Sequence, residues 1–339
     1  MLRITRWYTE AMENQQEAIA RSRRRAAAAV LCVTVFAAAF IGVACFLHAS
    51  SPKYSPNELG SQLAPTSDPL YVLLIGSDSR KGTALYTGKA NEHAQVDQHS
   101  DIMTLMRIDP ETYTITLVTV PRDTQLAGTS GKINDALAGG DPNEVVKVVE
   151  TLTGITVDYY MMTTFTSFES LVDDLGGTVV DVPLKITTDD PSTGRDVTVA
   201  PGQSQSLDGS QTLVLARARK EYVEDQDALR QVNVRNIEVS LIEKVLANPG
   251  GIDDALLYLE EHTTTNMDFG LVASLAADFL LHRDDVTIYT CTGPHKGSVN
   301  EAGLWVIPED KETWSLLMET VDAGEDPSGV VSLPSFPVS

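Results

Sequence analysis

Cysteine is scarce in this chain of 339 residues, which has only three. Cys32 and Cys45 lie in a long apolar run, so Cys291 is the single cysteine in the remainder of the sequence. No disulfide can therefore form within that remainder, and its fold must be stabilised by a hydrophobic core. We interpret Cys291 as a small buried apolar residue, because nothing in the neighbouring sequence indicates an activated thiol.

Basic charge is also scarce. The chain has 25 lysine and arginine residues against 47 aspartate and glutamate residues, which gives a formal net charge of −22. Nucleic-acid binding requires a broad basic surface, so no nucleic-acid partner is expected. The hydrophobic content of 42% and charged content of 21% are typical of a globular chain with a substantial core.

Several common catalytic motifs are missing from the sequence. It contains no GxxxxGK[ST] or GxGxxG phosphate loop, so a nucleoside triphosphate is not indicated. It also contains no GxSxG serine elbow and no HExxH zinc motif. The six histidines are scattered, and we interpret His93 and His99, which flank Asp97, as solvated loop residues.

One segment is apolar enough to enter a membrane. Residues 26–47 contain no charged residue and no proline, and crossing a hydrocarbon core takes about 20 residues. Four arginines between residues 21 and 25 precede the segment, which predicts a cytoplasmic N-terminus and an extracellular remainder. The alternative is a cleaved signal peptide, whose apolar core is usually shorter.

The chain divides into five predicted regions by composition. These are a cytoplasmic arm (1–25), a transmembrane helix (26–47), an extracellular linker rich in proline and serine (48–68), a globular domain (69–323) and a flexible tail (324–339). No internal repeat is present.

Short apolar runs and helical periodicity alternate irregularly in the predicted domain. Strands are predicted at 71–76, 101–109, 113–120, 178–186 and 286–291, and the segment TLVLARAR (212–219) is predicted as a strand or a buried segment. The DPET turn joins the second and third strands as a hairpin. Helices are predicted at 141–153, 165–177 and 229–248, and 253–282 is predicted to be mostly helical. This mixture predicts one α/β domain with a mixed sheet between helical layers.

Arginine is concentrated in a few motifs. Of the eight arginines between residues 70 and 240, six lie in IGSDSR, VPRD, ARAR and DALRQVNVR. They are Arg80, Arg122, Arg217, Arg219, Arg230 and Arg235. In a strand, Arg217 and Arg219 would point to the same side. Guanidinium groups bind phosphate oxygens in pairs, so several of them together would suit a diphosphate, with Lys132 adding a point charge. The alternative is pairing with surface carboxylates.

Two acids accompany these arginines. Asp78 follows one predicted strand and Asp101 begins another. A pair of carboxylates near a diphosphate is a typical arrangement for Mg²⁺, which takes oxygen ligands from one or two carboxylates and from phosphate. The alternative interpretation is that each aspartate is a turn residue at the end of a strand.

The ordered motifs LLIGSDSR, HSDIMTLMRIDPET, VTVPRDTQL, GKINDALAGG, VDDLGGTVVDVP, LDGSQTLVLARARK and DALRQ resemble those of the LytR-CpsA-Psr family. The resemblance covers residues 70–240 and continues more weakly to 323. It implies an α-β-α domain outside the cell, anchored by one helix, that transfers a glycopolymer from a polyprenyl-pyrophosphate carrier to a peptidoglycan hydroxyl. Teichoic acids, capsules and protein glycans are among the polymers attached by this family.

The resemblance also implies roles for particular residues. Asp78 and Asp101 match acids that bind Mg²⁺ (or Mn²⁺) and belong to the catalytic site, together with Arg122. The residues expected to bind pyrophosphate are Arg80, Arg122, Lys132, Arg217, Arg219, Arg230 and Arg235. The sequence departs from the family pattern DxxRxxRQ, because Asn233 and Val234 occupy the last two positions, so the role of Arg235 stays open.

Three alternatives to a peptidoglycan ligase remain at this point. A pyrophosphatase would use water in place of the acceptor, and a protein-glycosylating ligase would use a protein hydroxyl. A non-catalytic lipid-binding envelope protein would lack the paired acids, yet Asp78 and Asp101 are both present.

Overall fold

Strands and helices follow one another without strict alternation in the computed structural model, which describes residues 68–79, 98–333 and 336. All of these lie in one compact unit, residues 64–339. The strands are β1 (Leu70–Ser77), β2 (Ser100–Asp109), β3 (Thr114–Thr119), β4 (Thr124–Gln125), β5 (Tyr159–Thr164), β6 (Thr178–Val182), β7 (Ile186–Asp189), β8 (Asp196–Val199), β9 (Gly202–Leu207), β10 (Thr264–Thr265), β11 (Thr287–Thr292), β12 (Ser298–Val299) and β13 (Trp305–Pro308). The α-helices are α1 (Pro142–Thr153), α2 (Phe165–Asp174), α3 (Gly209–Arg217), α4 (Gln226–Ala247), α5 (Ile252–His262), α6 (Phe269–Leu281) and α7 (Lys311–Asp322). Short 3-10 helices cover Ile133–Leu137, Pro249–Gly251 and Pro327–Gly329.

The central sheet has six strands in the order β10-β5-β1-β2-β3-β11. Strand β1 is antiparallel to β2 and parallel to β5, while β3 is antiparallel to β2 and parallel to β11. The C-terminal ends of β1, β3, β5 and β11 therefore lie at the same edge of the sheet as the start of β2. We call this the carboxyl edge, and it is marked by Ser77, Ser100, Thr119, Thr164 and Thr292.

The predicted hairpin of the second and third strands is confirmed. Strands β2 and β3 pair from Thr104 opposite Thr119 to Asp109 opposite Thr114. The turn closes through the Asp109 carboxylate, which accepts hydrogen bonds from the backbone N–H groups of Glu111 and Thr112 at 3.1 and 3.2 Å. The aspartate of the DPET sequence thus fixes the connection chemically.

Helices pack on both faces of the sheet, as predicted. On one face, Leu73 of β1 contacts a core formed with α1 and α7, in which Val145, Val149 and Leu317 are fully buried. On the other face, strands β1 and β3 pack against α6 and α4. Successive strand residues alternate between these faces, so nearly every position of β1 and β3 is apolar or small.

The predicted strand at 178–186 is in fact two strands. Strand β6 pairs with β9, and β7 pairs with β8, so the two belong to different small sheets. Pro183 and Leu184 lie between them, and proline has no N–H for a ladder. These small sheets enclose a second apolar cluster with α3 and α4.

Residues 212–217 of TLVLARAR are helical, so of the two predicted alternatives the strand is wrong and the buried segment is confirmed. Helix α3 begins at a capping box, in which the Asp208 carboxylate accepts from the Gln211 N–H at 2.8 Å and the Gln211 side chain accepts from the Asp208 N–H at 3.2 Å. The helix is buried on almost every side, at Leu213, Val214 and Leu215 among others. A helix without a polar face shows the same continuous apolar run as a buried strand, so periodicity cannot separate them.

The two ends of the sequence compare differently with the predictions. The predicted transmembrane helix 26–47 lies outside the described residues, and within the described part no helix combines the length and apolarity needed to span a bilayer. The predicted flexible tail from residue 324 instead packs on the domain: Pro327 begins a 3-10 helix, Val330 contacts the main core, and the Phe336 ring lies 5.7 Å from that of Tyr222. Packing against the domain removes part of the apolar surface of these residues from water.

Candidate active site at the carboxyl edge

A β-bulge places Asp101 at the carboxyl edge. Gly76 pairs with Ile102 and Ser77 pairs with Ser100, so Asp101 is the extra residue of β2. Bulges turn a side chain out of the regular alternation and are frequent beside active sites. Arg230 of α4 fixes this bulge, because its Nη2 donates to the Asp101 carbonyl oxygen at 3.0 Å. The Asp101 side chain retains 26% exposure and projects toward the cleft described below.

Arg122 joins three carboxylates. Its Nη1 donates to Asp101, and its Nε lies 3.3 Å from Asp227 and 4.0 Å from Asp123. Burial alone would lower the pKa of the Arg122 guanidinium, but the attraction of Asp101, Asp227 and Asp123 outweighs burial and raises it above its usual value. Arg122 is therefore permanently charged and held in one orientation, with its side chain 14% exposed.

Asp227, at the start of α4, is the counter-ion that three arginines share. Its Oδ1 lies 3.0 Å from Arg230, 3.3 Å from Arg122 and 3.8 Å from Arg219. Its Oδ2 accepts from the Gln231 amide at 2.6 Å. Burial would raise the pKa of Asp227, but the three guanidinium groups lower it below its usual value. One carboxylate thus holds three positive charges close together.

Arg217 and Arg219 both line the cleft, although they do not belong to a strand. Helix α3 ends at Arg217, and the extended residue Ala218 then carries the chain to Arg219. Arg217 lies 5.0 Å from the centre of the Phe165 ring and donates to the Asp189 carbonyl oxygen at 3.2 Å. Burial, followed by repulsion from Arg122 and Arg230, lowers the pKa of Arg219. A bound anion would relieve that repulsion.

The cleft at these arginines has a volume of about 90 Å³. Its charged lining residues are Asp101, Arg217, Arg219 and Arg230. Its apolar lining residues include Ile102, Phe165, Phe168, Leu213 and Ala216. A lining that combines guanidinium groups with apolar side chains suits a ligand with an anionic end and a hydrocarbon end.

Asp78 is held by a histidine that we predicted to be solvated. The backbone N–H of His99 donates to Asp78 Oδ1 at 2.7 Å, and the ring atom Nδ1 of His99 lies 3.4 Å from Asp78 Oδ2. His99 Nε2 lies 3.6 Å from Asp135, so the ring sits between two carboxylates. His99 is a loop residue directly before β2 with its side chain 38% exposed, as interpreted, but it also contacts Asp78 because the start of β2 lies against the end of β1. His93 lies outside the described residues.

The donor set suits a hard cation only in part. Asp78 and Asp101 follow and begin neighbouring strands, and their side chains keep 28% and 26% exposure. Within residues 68–79, 98–333 and 336, no group of three or more His, Cys, Asp or Glu side chains is arranged to hold a metal ion. Two carboxylates fit Mg²⁺ when substrate phosphates supply the remaining oxygens.

The other predicted site residues are dispersed. Lys132 contacts Asp123 at 2.7 Å, beside Arg122 but outside the cleft lining. Arg80 lies outside the described residues. Arg235 does not reach the cleft: its side chain is 2% exposed and donates to the Thr119 hydroxyl at 2.6 Å. Helix geometry explains this, since Arg235 lies more than one turn beyond Arg230 and points under the sheet.

Asp227 and Asp123 both contact Arg122, although neither is predicted as a site residue from the motifs DALRQVNVR and VPRD. The available signal for Asp227 was its spacing from Arg230, because residues three apart on a helix are neighbours. The signal for Asp123 was weaker, since adjacency in an irregular segment does not fix which side chains meet.

Comparisons with known proteins identify a family and a shared fold. A model of the LytR_cpsA_psr family matches residues 47–318. A Bacillus subtilis protein described as "Polyisoprenyl-teichoic acid--peptidoglycan teichoic acid transferase TagU" is 30% identical over 219 residues, which is 62% of this chain and 64% of that relative. The match thus spans just under two thirds of the relative's length.

Solved structures show the same fold. B. subtilis TagV aligns with a TM-score of 0.59 at 23% identity, covering 80% of this chain and 100% of that one. A structure described as "TagT bound to LI-WTA" aligns with a TM-score of 0.57 at 21% identity, covering 77% of this chain and 93% of that one. These likenesses concern the backbone fold.

Proposed function

The chain belongs to the LytR_cpsA_psr family, and from this we propose that it is a glycopolymer phosphotransferase. It takes a glycan from a polyprenyl-pyrophosphate carrier and joins it through a phosphodiester to a peptidoglycan hydroxyl. The name of the TagU relative, a teichoic acid–peptidoglycan transferase, supports this class of donor and acceptor. A wall teichoic acid, a capsule or another secondary wall polymer would serve as the glycan.

The observation that carries the proposal is the mixed lining of the cleft. Arg217, Arg219 and Arg230 line it together with apolar side chains that include Phe165 and Phe168. The guanidinium groups neutralise a pyrophosphate, and the apolar side chains receive the first prenyl units. A volume of about 90 Å³ is small beside the several hundred Å³ of a typical ligand pocket, so the cleft would receive only the first part of the prenyl chain.

The transfer step balances without a covalent enzyme intermediate. The acceptor oxygen forms a bond to the phosphorus on the sugar side, and the bridging P–O bond to the lipid phosphate breaks. The acceptor proton passes to one carboxylate of the Asp78 and Asp101 pair and then to solvent. The leaving polyprenyl phosphate keeps the electron pair of the broken bond. Arg122, Arg217 and Arg219 stabilise the charge that develops on it.

Asp78 and Asp101 would hold a magnesium or manganese ion in this site. When bound, such an ion supplies positive charge that neutralises phosphate oxygens. The bulge at Asp101 and the His99 contact to Asp78 hold the two carboxylates at neighbouring strand ends. Their orientation is therefore set by the protein before substrate arrives.

The apolar segment 26–47 supports placing the enzyme at the cell membrane. We propose that it forms a single transmembrane helix with a cytoplasmic N-terminus and an extracellular catalytic domain. This arrangement keeps the cleft close to a lipid carrier in the outer leaflet and gives it access to the wall.

The decisive experiment follows products by mass. The full chain is incubated with a short polyprenyl-pyrophosphate glycan and uncrosslinked peptidoglycan, with and without Mg²⁺. Glycan joined to peptidoglycan through a phosphodiester supports the proposal. Free glycan phosphate at the same rate with and without acceptor would instead indicate a pyrophosphatase. Intact lipid that co-purifies with the chain would indicate a binding protein, and a glycosylated protein acceptor would indicate a protein ligase.

A further inference from the structure

An exposed apolar pair lies on a hairpin beside the site. Strands β12 and β13 are antiparallel, with Val299 directly opposite Trp305. Paired residues on a ladder present their side chains to the same face. Trp305 is 53% exposed and Val299 is 63% exposed, so the domain itself does not cover this face. A tryptophan exposed to this extent is a typical anchor for a ligand.

The hairpin is attached to the segment that carries Arg122. Strand β13 pairs with β4, and the Ile307 N–H donates to the Asp123 carbonyl oxygen at 2.9 Å. The Asn300 amide also contacts the Gln125 side chain at 3.3 Å. Gln125 lies three positions after Arg122, so their Cα atoms lie within about 11 Å of each other. The apolar pair therefore lies on a hairpin that is hydrogen-bonded directly to the segment that follows Arg122.

The indole of Trp305 packs against the backbone of Gly297. A Cβ atom on Gly297 would lie 2.9 Å from both Cε2 and Cζ2 of Trp305, so the ring rests against the bare backbone of that glycine. Only glycine permits this close approach. With one side against the backbone, the ring keeps an open side for a partner. A fixed aromatic surface costs little conformational entropy on binding.

Charge helps to identify the partner. Residues 294–312 contain four acidic side chains and two lysines, and the whole chain has a net charge of −22. An anionic membrane surface attracts basic segments and repels this one. The pyranose ring of a glycan offers an apolar, uncharged C–H face that can stack on an indole.

We propose that Trp305 and Val299 form a subsite for the glycan strand of the acceptor. The inference rests on the proposed function for its choice of ligand. In this subsite, sugar rings next to the reacting one stack on Trp305, and the acceptor hydroxyl is thereby directed toward Asp101 and Arg122. The subsite contributes to acceptor binding and takes no part in donor binding.

The test is co-sedimentation of the full chain, in detergent, with purified insoluble peptidoglycan. We expect Trp305→Ala to weaken binding about tenfold, and Trp305→Tyr to retain most of it because a ring remains. Leu281→Ala is the matched control, since Leu281 is also an exposed apolar residue, 82% exposed at the end of α6 and not part of the hairpin. Equal binding by wild type and Trp305→Ala overturns the subsite.

Two further measurements separate this inference from the proposed function. In the transfer reaction, Trp305→Ala should raise the KM for peptidoglycan and leave the KM for the lipid donor unchanged; transfer with an unchanged acceptor KM would refute the subsite and leave the function intact. Peptidoglycan binding that depends on Trp305 would support the subsite even without turnover. Quenching of Trp305 fluorescence by brominated lipids, measured against Trp305→Phe in reconstituted vesicles, would overturn it in favour of a membrane contact.

Discussion

Arg122, which follows β3, donates a hydrogen bond to the carboxylate of Asp101 at the start of β2, although the two residues are 21 positions apart. The pairing depends on the β-bulge that turns Asp101 toward the cleft and on the end of β3, which delivers Arg122 to the same edge. Arg122 in turn contacts Asp227, which gathers Arg219 and Arg230. The site is thus a network in which each charge is positioned by another.

Arg217 is the arginine best suited to a donor-binding test. Within the described residues its guanidinium is held by the Phe165 ring and the Asp189 carbonyl oxygen rather than by a carboxylate. Arg217→Ala should raise the KM for the lipid donor roughly tenfold to a hundredfold, the value of one or two charge-assisted hydrogen bonds. The exposed Arg195→Ala is the control. Equal donor KM values in both variants would remove Arg217 from the donor site.

Protonation of Asp227 in acid should lower the free energy of unfolding of the protein. Its pKa is lowered in the folded state, so its contribution to stability is present above the unfolded pKa of about 4 and is lost as the pH falls through the folded pKa. The free energy of unfolding of the wild type should therefore fall between pH 5 and pH 3 more steeply than that of Asp227→Asn. Urea titrations at several pH values measure this, with the exposed Asp253→Asn as control. Parallel curves for all three proteins would contradict the assignment.

Ionisation of Glu238 should lower the free energy of unfolding as the pH rises. Burial, only partly offset by a hydrogen bond from Thr104 and the charge of Arg235, raises the pKa of Glu238 to about 7. A raised pKa gives stability that is complete below the unfolded pKa and is lost as the pH rises through the folded one. The wild type should lose up to about 3 kcal/mol between pH 5 and pH 8.

Glu238→Gln keeps the acceptor for Thr104 and removes the titration. Its free energy of unfolding should therefore change much less over the same range, as measured by urea unfolding. A wild-type curve that is flat from pH 5 to pH 8 would show that Glu238 is charged in the folded protein.

Cys291 should resist alkylation. Its thiol is fully buried, and burial raises its pKa to about 12. Thiolates are the reactive form, so iodoacetamide at pH 8 should leave the peptide that contains Cys291 unmodified in the folded protein and modify it in urea. Peptide mapping by mass separates this cysteine from Cys32 and Cys45. Rapid labelling without urea would mean that β11 opens readily.

Local signals predicted four of the six strands of the central sheet, but not β5 or β10. The DPET turn, the strand ends and the caps are short-range features, and they predict that Asp78 and Asp101 lie at strand ends, whereas the pairing of distant strands brings those ends to one edge. The same signals predicted α1, whose Asp141 side chain caps the first turn. Such features depend on residues within a few positions of each other.

Long-range contacts account for what the sequence did not reveal. Helix α3 is enclosed by the small sheets and α4, and that burial removes the polar face by which a helix is recognised. Arg235 lies close to Arg230 in the sequence and so resembles a ligand-binding arginine. On α4, however, it points away from the cleft and donates a hydrogen bond to Thr119 of the central sheet. The position of His99 between Asp78 and Asp135 depends on three separate segments. Each of these outcomes requires the tertiary fold.

The most direct test of the site is the transfer rate of Arg122→Ala. Arg122 contacts Asp101 and shares Asp227 with two other arginines, so its loss should reduce glycan transfer about a hundredfold to a thousandfold. Arg122→Lys keeps the charge but not the planar fork, and it should recover only a small part of the rate. Circular dichroism and thermal unfolding confirm that both variants are folded. Wild-type transfer by a folded Arg122→Ala protein would contradict the placement of catalysis at this cluster.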